Sequence, residues 1–422
     1  MAEILEELSE VIKGCSRCGF CMVECPAYGA TKIEWDVARG RIRLANELLN
    51  GNMAFDGELD DPVDTCLMCR SCYDNCSSKI DTPKAVQLIR TLRYKSGKMK
   101  LPYRMVFERV LPNKGLMSLG TRLMSSAQGI GLDKLMNSKI IVRLFPEAEA
   151  IADVVPKLPK KRARKVLPHI IKPDGPAKGK VIYFLGCAVD FAYPDVAQAT
   201  VQLLAAQGIE VHVPEVSCCG LPAYTYGHVK AAQDMAKLNL EKLKIDEFDA
   251  VISDCSTCAS FLKEYTDFIK DENIKEQAHV LAEKVYDVSE YLAKIELQGP
   301  RKVLNKTVTY HQSCHLGRYL GKTKEIENIL DKLPGITFIK ADNQNECCGG
   351  AGSYCITQQK RSQKILDKKV EGISKTKADY LITSCPACML QLNSGLKKSE
   401  TNTQVLHLTE LLKEIYLSDM KK

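Results

Sequence analysis

KVIYFLGC (180–187) and TVTYHQSC (307–314) decide how this chain folds. Each is a short run rich in β-branched and aromatic residues that ends in a cysteine, and each opens the same succession of elements. A helical pattern follows (TVQLLAAQG at 200–208; EIENILDKL at 325–333), then a short strand pattern (IEVHVP at 209–214; ITFIKA at 336–341), then Cys-Cys-Gly at 218–220 and 347–349. After another helical stretch come DAVISDCSTC (249–258) and DYLITSCPAC (379–388). Corresponding cysteines keep a nearly constant offset (314 − 187 = 127, 347 − 218 = 129, 385 − 255 = 130). Two copies of one β-α-β-α-β unit fit this pattern, and alternating strand and helix implies α/β layers with mostly parallel strands.

Outward from the repeat, four regions separate: 1–97, 98–175, 176–300 and 301–422. The last two are the copies. Residues 98–175 hold no cysteine and end in VPKLPKKRARKVLPHIIKPDGPAKGK (155–180), which reads as a linker because repeated prolines interrupt helix and sheet pairing. The preceding MVFERVLPNKGLMSLGTRLMSSAQGIGLDKLM (105–136) reads as short helices packed on a neighbouring domain, in preference to a membrane-surface anchor. Residues 1–97 hold eight cysteines in two tight groups.

Composition narrows the chemistry. A chain of 422 residues suits two to four domains, and 45% hydrophobic residues let each bury a core. No run approaches the roughly 18 apolar residues of a membrane-spanning helix. The start, MAEILEELSEVIKG, is acidic and amphipathic and unlike a signal peptide, so the chain is expected in the cytoplasm. Nineteen cysteines in such a chain point to thiolates that bind metal rather than to disulfides. Eighteen fall into ligand patterns, which leaves Cys355, read as a small buried residue. The net charge is +7, with excess basicity around Lys157, Lys160, Lys161, Arg162, Arg164 and Lys165, which reads as a solvated linker. No module supports nucleic-acid binding.

The first N-terminal group is Cys15-x-x-Cys18-x-x-Cys21-x-x-x-Cys25-Pro26, and the second is Cys66-x-x-Cys69-x-x-Cys72-x-x-x-Cys76. This is the spacing of two-cluster bacterial ferredoxins, in which the fourth cysteine of each run ligates the other cluster. Cys15, Cys18, Cys21 and Cys76 are thus expected to hold one cubane [4Fe–4S] cluster, and Cys66, Cys69, Cys72 and Cys25 the other. Three thiolates on one tight loop cap three irons of a cube, and the fourth iron takes a ligand from further away. Gly19 gives the first loop freedom to wrap closely. Zinc is the competing reading, but its tetrahedral sites use two-plus-two ligands and leave the third cysteine superfluous. The segments DVARGRIRLANELLNG (36–51) and TPKAVQLIRTLRYKSG (82–97) make this domain more helical than a minimal ferredoxin.

Each copy of the repeat offers five thiolates at strand ends or in the turns after them: Cys187, Cys218, Cys219, Cys255 and Cys258, then Cys314, Cys347, Cys348, Cys385 and Cys388. Open α/β folds place ligand sites at the carboxyl ends of strands. Adjacent cysteines strain to ligate one small ion but can reach different irons of a cluster. His311 reads as a core residue in a strand, and His315 as a neighbour or surface residue beside Cys314.

FLGCAVDFAYPD, CCGLPAY, SCHLGR, CCGGAGSY and ITSCPACMLQL resemble the cysteine-rich (CCG) domain pair of heterodisulfide reductase and of the iron–sulfur subunits of glycolate, lactate and anaerobic glycerol-3-phosphate dehydrogenases. With the N-terminal groups, the resemblance covers nearly the whole chain. It implies a multidomain α + α/β protein, with a helical, ferredoxin-like two-[4Fe–4S] domain followed by tandem α/β CCG domains. It further implies two more [4Fe–4S] clusters in the CCG domains, of the non-cubane kind known in heterodisulfide reductase, with a plain cubane or zinc left open for one copy.

No G-x-G-x-x-G fingerprint, Walker sequence or flavin motif is found, so neither flavin nor nucleotide is expected in this chain; the GGAG run at 349–352 is too short and wrongly placed. Electrons must then come from elsewhere. The simplest reading is a relay, in which a partner FAD-linked flavoprotein passes electrons to this chain and a quinone or other carrier accepts them, in the cytoplasm or peripherally at the inner face of a membrane. The resemblance implies the partner's substrate class, a 2-hydroxy acid such as glycolate or lactate. The alternative is catalytic: a heterodisulfide-reductase-like chain that reduces a disulfide at a CCG cluster.

Overall fold

The computed structural model describes residues 1–54, 57–99, 101–129, 147–295, 297–299, 302–399 and 401–417. Part of the 105–136 reading therefore lies outside the described residues. The first sheet contains β1 (Ile170–Ile171), β2 (Gly179–Tyr183), β3 (Ile209–His212), β4 (Ala250–Ser253) and β5 (Val285–Asp287), in the order β1-β3-β2-β4-β5. The second contains β6 (Lys306–Tyr310), β7 (Ile336–Phe338), β8 (Tyr380–Thr383) and β9 (Gln404–His407), in the order β7-β6-β8-β9. Apart from antiparallel β1, every pairing is parallel. Val181, Ile182 and Tyr183 are buried consecutively, as parallel strands covered on both faces require.

The two copies thus share one topology, in register: Val181 lies opposite Val211 and Ala250, and Val308 opposite Phe338 and Tyr380. Each has a fourth strand, β5 or β9, beyond the three legible in sequence. In both, the order reverses at the first strand, so the crevice between the carboxyl ends of β2 and β4, or of β6 and β8, is a topological switch point where ligands bind.

The copies pack reciprocally. The helix Pro194–Ala206 of the first lies against Leu408–Tyr416 of the second, and Val288–Lys294 lies against Glu325–Asp331. At the centre, the Ser256 amide donates to the Ser384 carbonyl (3.3 Å) and their hydroxyls meet at 2.8 Å.

Among the described residues up to Lys98 there is no strand. The helices Ala2–Ile12, Ala38–Leu49 and Thr82–Lys95 close on Leu8, Ile12, Ile42, Ala45, Ile89 and Leu92. Asp81 caps the third helix by accepting from the Lys84 amide (3.0 Å). That helix docks on the first copy: Arg90 donates to the Thr225 carbonyl (2.8 Å), and Gly227, at φ +84°, brings its backbone against that of Arg90.

The Pro- and Lys-rich stretch is more than a linker. Ile170–Ile171, between Pro168 and Pro173, pairs with β3 as an edge strand, where neighbouring prolines are tolerated. Its arginines are engaged as well. Arg162 pairs with buried Asp190 (3.2 Å) and Arg164 with Glu215 (3.3 Å).

Candidate metal centres

Every cysteine of the repeat follows the carboxyl end of a strand. Cys187 comes after β2, Cys218 and Cys219 after β3, and Cys255 starts the helix after β4. The second copy repeats this after β6, β7 and β8. Close backbone approach is built in: a Cβ on Gly186 would meet Cys258 Sγ at 3.1 Å.

The thiols form the same chain of contacts in each copy. Cys187 Sγ lies 3.9 Å from Cys218 Sγ, Cys219 contacts Cys218 and Cys258, and Cys258 contacts Cys255. Likewise Cys314 meets Cys347, Cys348 meets Cys347 and Cys388, and Cys388 meets Cys385. Cys255 and Cys385 touch across the junction, where Thr257 Oγ1 also lies 3.4 Å from Cys385 Sγ.

The N-terminal cysteines divide into two neighbourhoods. Cys15, Cys18, Cys21, Cys72 and Cys76 line one small pocket. This pocket is near the surface: Cys18 is exposed, and Phe20 and Val23 beside it are 61% and 80% exposed. Cys25 and Cys72 face Cys66 and Cys69 in the second neighbourhood. Buried Arg41 faces Cys66, Cys25 and Cys72, held by bonds to the Pro62 carbonyl (2.7 Å) and Thr65 Oγ1 (3.0 Å).

The second neighbourhood opens onto the repeat. Twelve cysteines, including Cys66, Cys69 and all ten of the repeat, line one cavity of about 1000 Å³. Cys69 contacts Cys314 and Cys347 directly. Arg318 donates to Cys314 Sγ (3.3 Å) and to the Cys69 carbonyl (3.3 Å), and Tyr319 OH to the Met68 carbonyl (2.6 Å). The N-terminal thiols therefore meet the thiols of the second copy, contrary to chain order, although the helix Thr82–Lys95 docks on the first.

The donor set fits iron–sulfur clusters. Burial pushes the Cys25 thiol up to about 11 and raises Cys72 well above its ordinary value, and inside the cavity neighbouring thiols and burial raise Cys187, Cys258 and Cys388, so each crowded set cannot ionise throughout unless cations replace its protons. Clustered iron would supply that charge, and the cavity of about 1000 Å³ that the thiols line offers room for it.

The sequence reading placed His311 in the core, and it is fully buried. It also belongs to the site: a ring nitrogen, Cys348 Sγ and Cys388 Sγ all lie within 4.8 Å of one another. Sequence reasoning missed this residue, Arg318, Lys369 and Arg41, because none belongs to a spacing motif. Laying the copies over one another is the signal that finds the first three. His315 lines the cavity, its Nδ1 is 2.7 Å from Ser260 Oγ, and burial holds its imidazole down at about 4. Cys355 is buried, its thiol against the Gly352 carbonyl (3.2 Å).

Two thiol-rich crevices at the switch points of paired α/β domains, joined to a helical eight-cysteine domain, define an iron–sulfur protein. Comparison with known proteins agrees. A cysteine-rich domain (CCG) family matches residues 181–263 and 308–393, and a 4Fe-4S dicluster domain matches residues 11–80. The chain is 29% identical over 425 residues to a probable glycolate oxidase iron-sulfur subunit of Bacillus subtilis, covering 98% of this chain and 96% of that protein. It is 33% identical over 236 residues to lactate utilization protein A of Halalkalibacterium halodurans, covering 55% of this chain and 96% of that protein. The same-named protein of Geobacillus thermodenitrificans is 32% identical over 236 residues. The chain belongs to the CCG-domain iron–sulfur oxidoreductase family. No described helix is long and apolar enough to cross a membrane.

Proposed function

We propose that this chain is the electron-relay subunit of a 2-hydroxy-acid oxidising complex. It would take electrons from a flavoprotein that oxidises glycolate or lactate and deliver them to a quinone or another carrier, in the cytoplasm or peripherally at the inner face of a membrane. The observation that carries this reading is the unbroken succession of thiol sets, from exposed Cys18 through Cys69 to the two copies. Bound [4Fe–4S] clusters supply one-electron storage at each set.

The residues assigned to hold them are Cys15, Cys18, Cys21 and Cys76; Cys66, Cys69, Cys72 and Cys25; and the five thiols of each copy. In this ferredoxin-like arrangement, the rim at Phe20 and Val23 is the docking point for the electron donor. Arg41 and Arg318 counter the negative charge of the thiolates. The sequence carries no dinucleotide fingerprint or flavin motif, so in this reading hydride removal falls to the partner.

Complete five-thiol sets facing one another support a second reading, reduction of a disulfide between them. Anaerobically purified chain should carry about sixteen irons and as much acid-labile sulfide, at four per cluster. Half that content removes the clusters from the repeat. Copurification of a flavoprotein without disulfide turnover by the isolated chain favours the relay, and turnover with a reduced dye favours the second reading.

A further inference from the structure

The two copies repeat their thiols but not the residues beneath them. At matching positions, Phe184 of the first copy is His311 in the second, Phe191 is Arg318, Asn239 is Lys369 and Tyr265 is Gly395. The first bed is aromatic. Phe261 packs edge-on against Tyr265 (5.7 Å between centroids) and stacks on Phe268 (5.3 Å), and Tyr265 OH donates to the Cys219 carbonyl (2.7 Å).

The second bed is basic. The buried His311 ring reaches no nitrogen or oxygen partner and stands against the thiols of Cys348 and Cys388. Arg318 donates to Cys314 Sγ (3.3 Å), and its one carboxylate neighbour among the described residues is Asp74 (3.5 Å), half exposed where Asp190 is buried. Lys369, 1% exposed, donates to the carbonyls of Gln344 (3.0 Å) and Asn343, with no carboxylate at ion-pair distance among the described residues. The first copy has cations nearby, but Lys114 and Arg162 both pair with buried Asp190 (3.4 and 3.2 Å), whose counterpart in the second copy is Gly317.

We propose that the two Cys-Cys-Gly centres are unequal electron sites. The second, seated on His311, Arg318 and Lys369 and touching Cys69, receives the electron from the N-terminal domain and holds it at a higher potential than the first. This rests on the reading that both sets bind clusters. An added electron makes a centre more negative, and in a low-dielectric interior buried cations and donors aimed at sulfur stabilise that state. An aromatic bed offers no such compensation. One electron leaves the Cys25–Cys66–Cys69–Cys72 set, which is oxidised by one, and one arrives at the second copy, which is reduced by one; no bond forms or breaks.

The test is an anaerobic potentiometric titration of the full chain followed by electron paramagnetic resonance, with Cys258→Ser and Cys388→Ser assigning the first-copy and second-copy signals. The second-copy signal should appear at the higher potential. His311→Phe and Lys369→Asn, which install the first copy's residues, should each weaken its reduction equilibrium about tenfold, about 59 mV for a one-electron couple, and leave the first-copy signal in place. Phe184→His should raise the first-copy midpoint, which gives a readout with the second copy intact. The proposal is overturned if the two signals titrate together in the unaltered chain, if the first copy lies higher, or if the substitutions move both signals equally. Iron analysis showing unaltered chain without clusters in the repeat would overturn the cluster reading itself, and the inequality with it.

Discussion

Cys76 lies far along the chain from Cys15, Cys18 and Cys21, yet it lines their pocket. A fourth thiolate borrowed from the other loop is what the alternating spacing demands. Cys76→Ser should therefore remove about four irons per chain and only the signal of the surface-near centre, measured by iron assay and electron paramagnetic resonance. Loss of the deeper N-terminal signal instead would show that each run serves its own cluster. These thiols could be read from spacing alone because close wrapping of a cluster fixes the intervals. Lys369 and His311 could not, since a lysine in an amphipathic helix and a histidine after a strand ordinarily mean surface and core. Their meaning comes from what the fold sets beside them.

At the scale of elements, β2, β3, β4 and their counterparts were legible because their β-branched runs are bounded by turns and repeated. β5 (VYD) and β9 (QVLH) were not: three or four residues beside helix carry no periodicity, and parallel pairing with β4 and β8 makes them strands. β1 was hidden between prolines for the same reason. The docking of the helix Thr82–Lys95 on the first copy depends on Gly227, where a Cβ would fall 2.3 Å from the Arg90 carbonyl carbon, at a φ of +84°. The left-handed conformation alone costs a residue with a Cβ about 1–2 kcal/mol, and no rotamer relieves a clash with backbone. Gly227→Ala should lower stability to urea by at least that amount and speed proteolysis of the N-terminal domain. Parental stability would contradict the tight docking.

For the whole molecule, the junction between the copies buries acids as well as thiols. Asp287, fully buried, accepts from the Ser289 amide (2.9 Å) through one oxygen and leaves the other without a partner, and burial pushes its carboxyl up to about 7. The folded chain thus keeps a proton that the unfolded chain gives up near pH 4. This group's stabilisation is full below about pH 4 and is lost as pH rises through about 7. Asp287→Asn should remove that dependence, so its stability relative to the parent should grow between pH 5 and 8, with a ceiling of about 2.7 kcal/mol (about two pH units, from 5 to 7, at about 1.36 kcal/mol each). Urea unfolding at the two pH values checks it, and a constant difference would refute it.

Spacing along the chain singled out the cysteines proposed to hold metal and determined that one α/β unit occurs twice, because both readings depend on intervals between residues. Only the tertiary structure decided the order of the centres. Cys69 reaches Cys314 and Cys347, and Cys385 reaches Cys255, so the thiols of the second copy stand before those of the first. Reciprocal packing of the copies turns their switch points toward each other, and the docking of the N-terminal domain then selects which is near. No interval in a linear sequence encodes that choice.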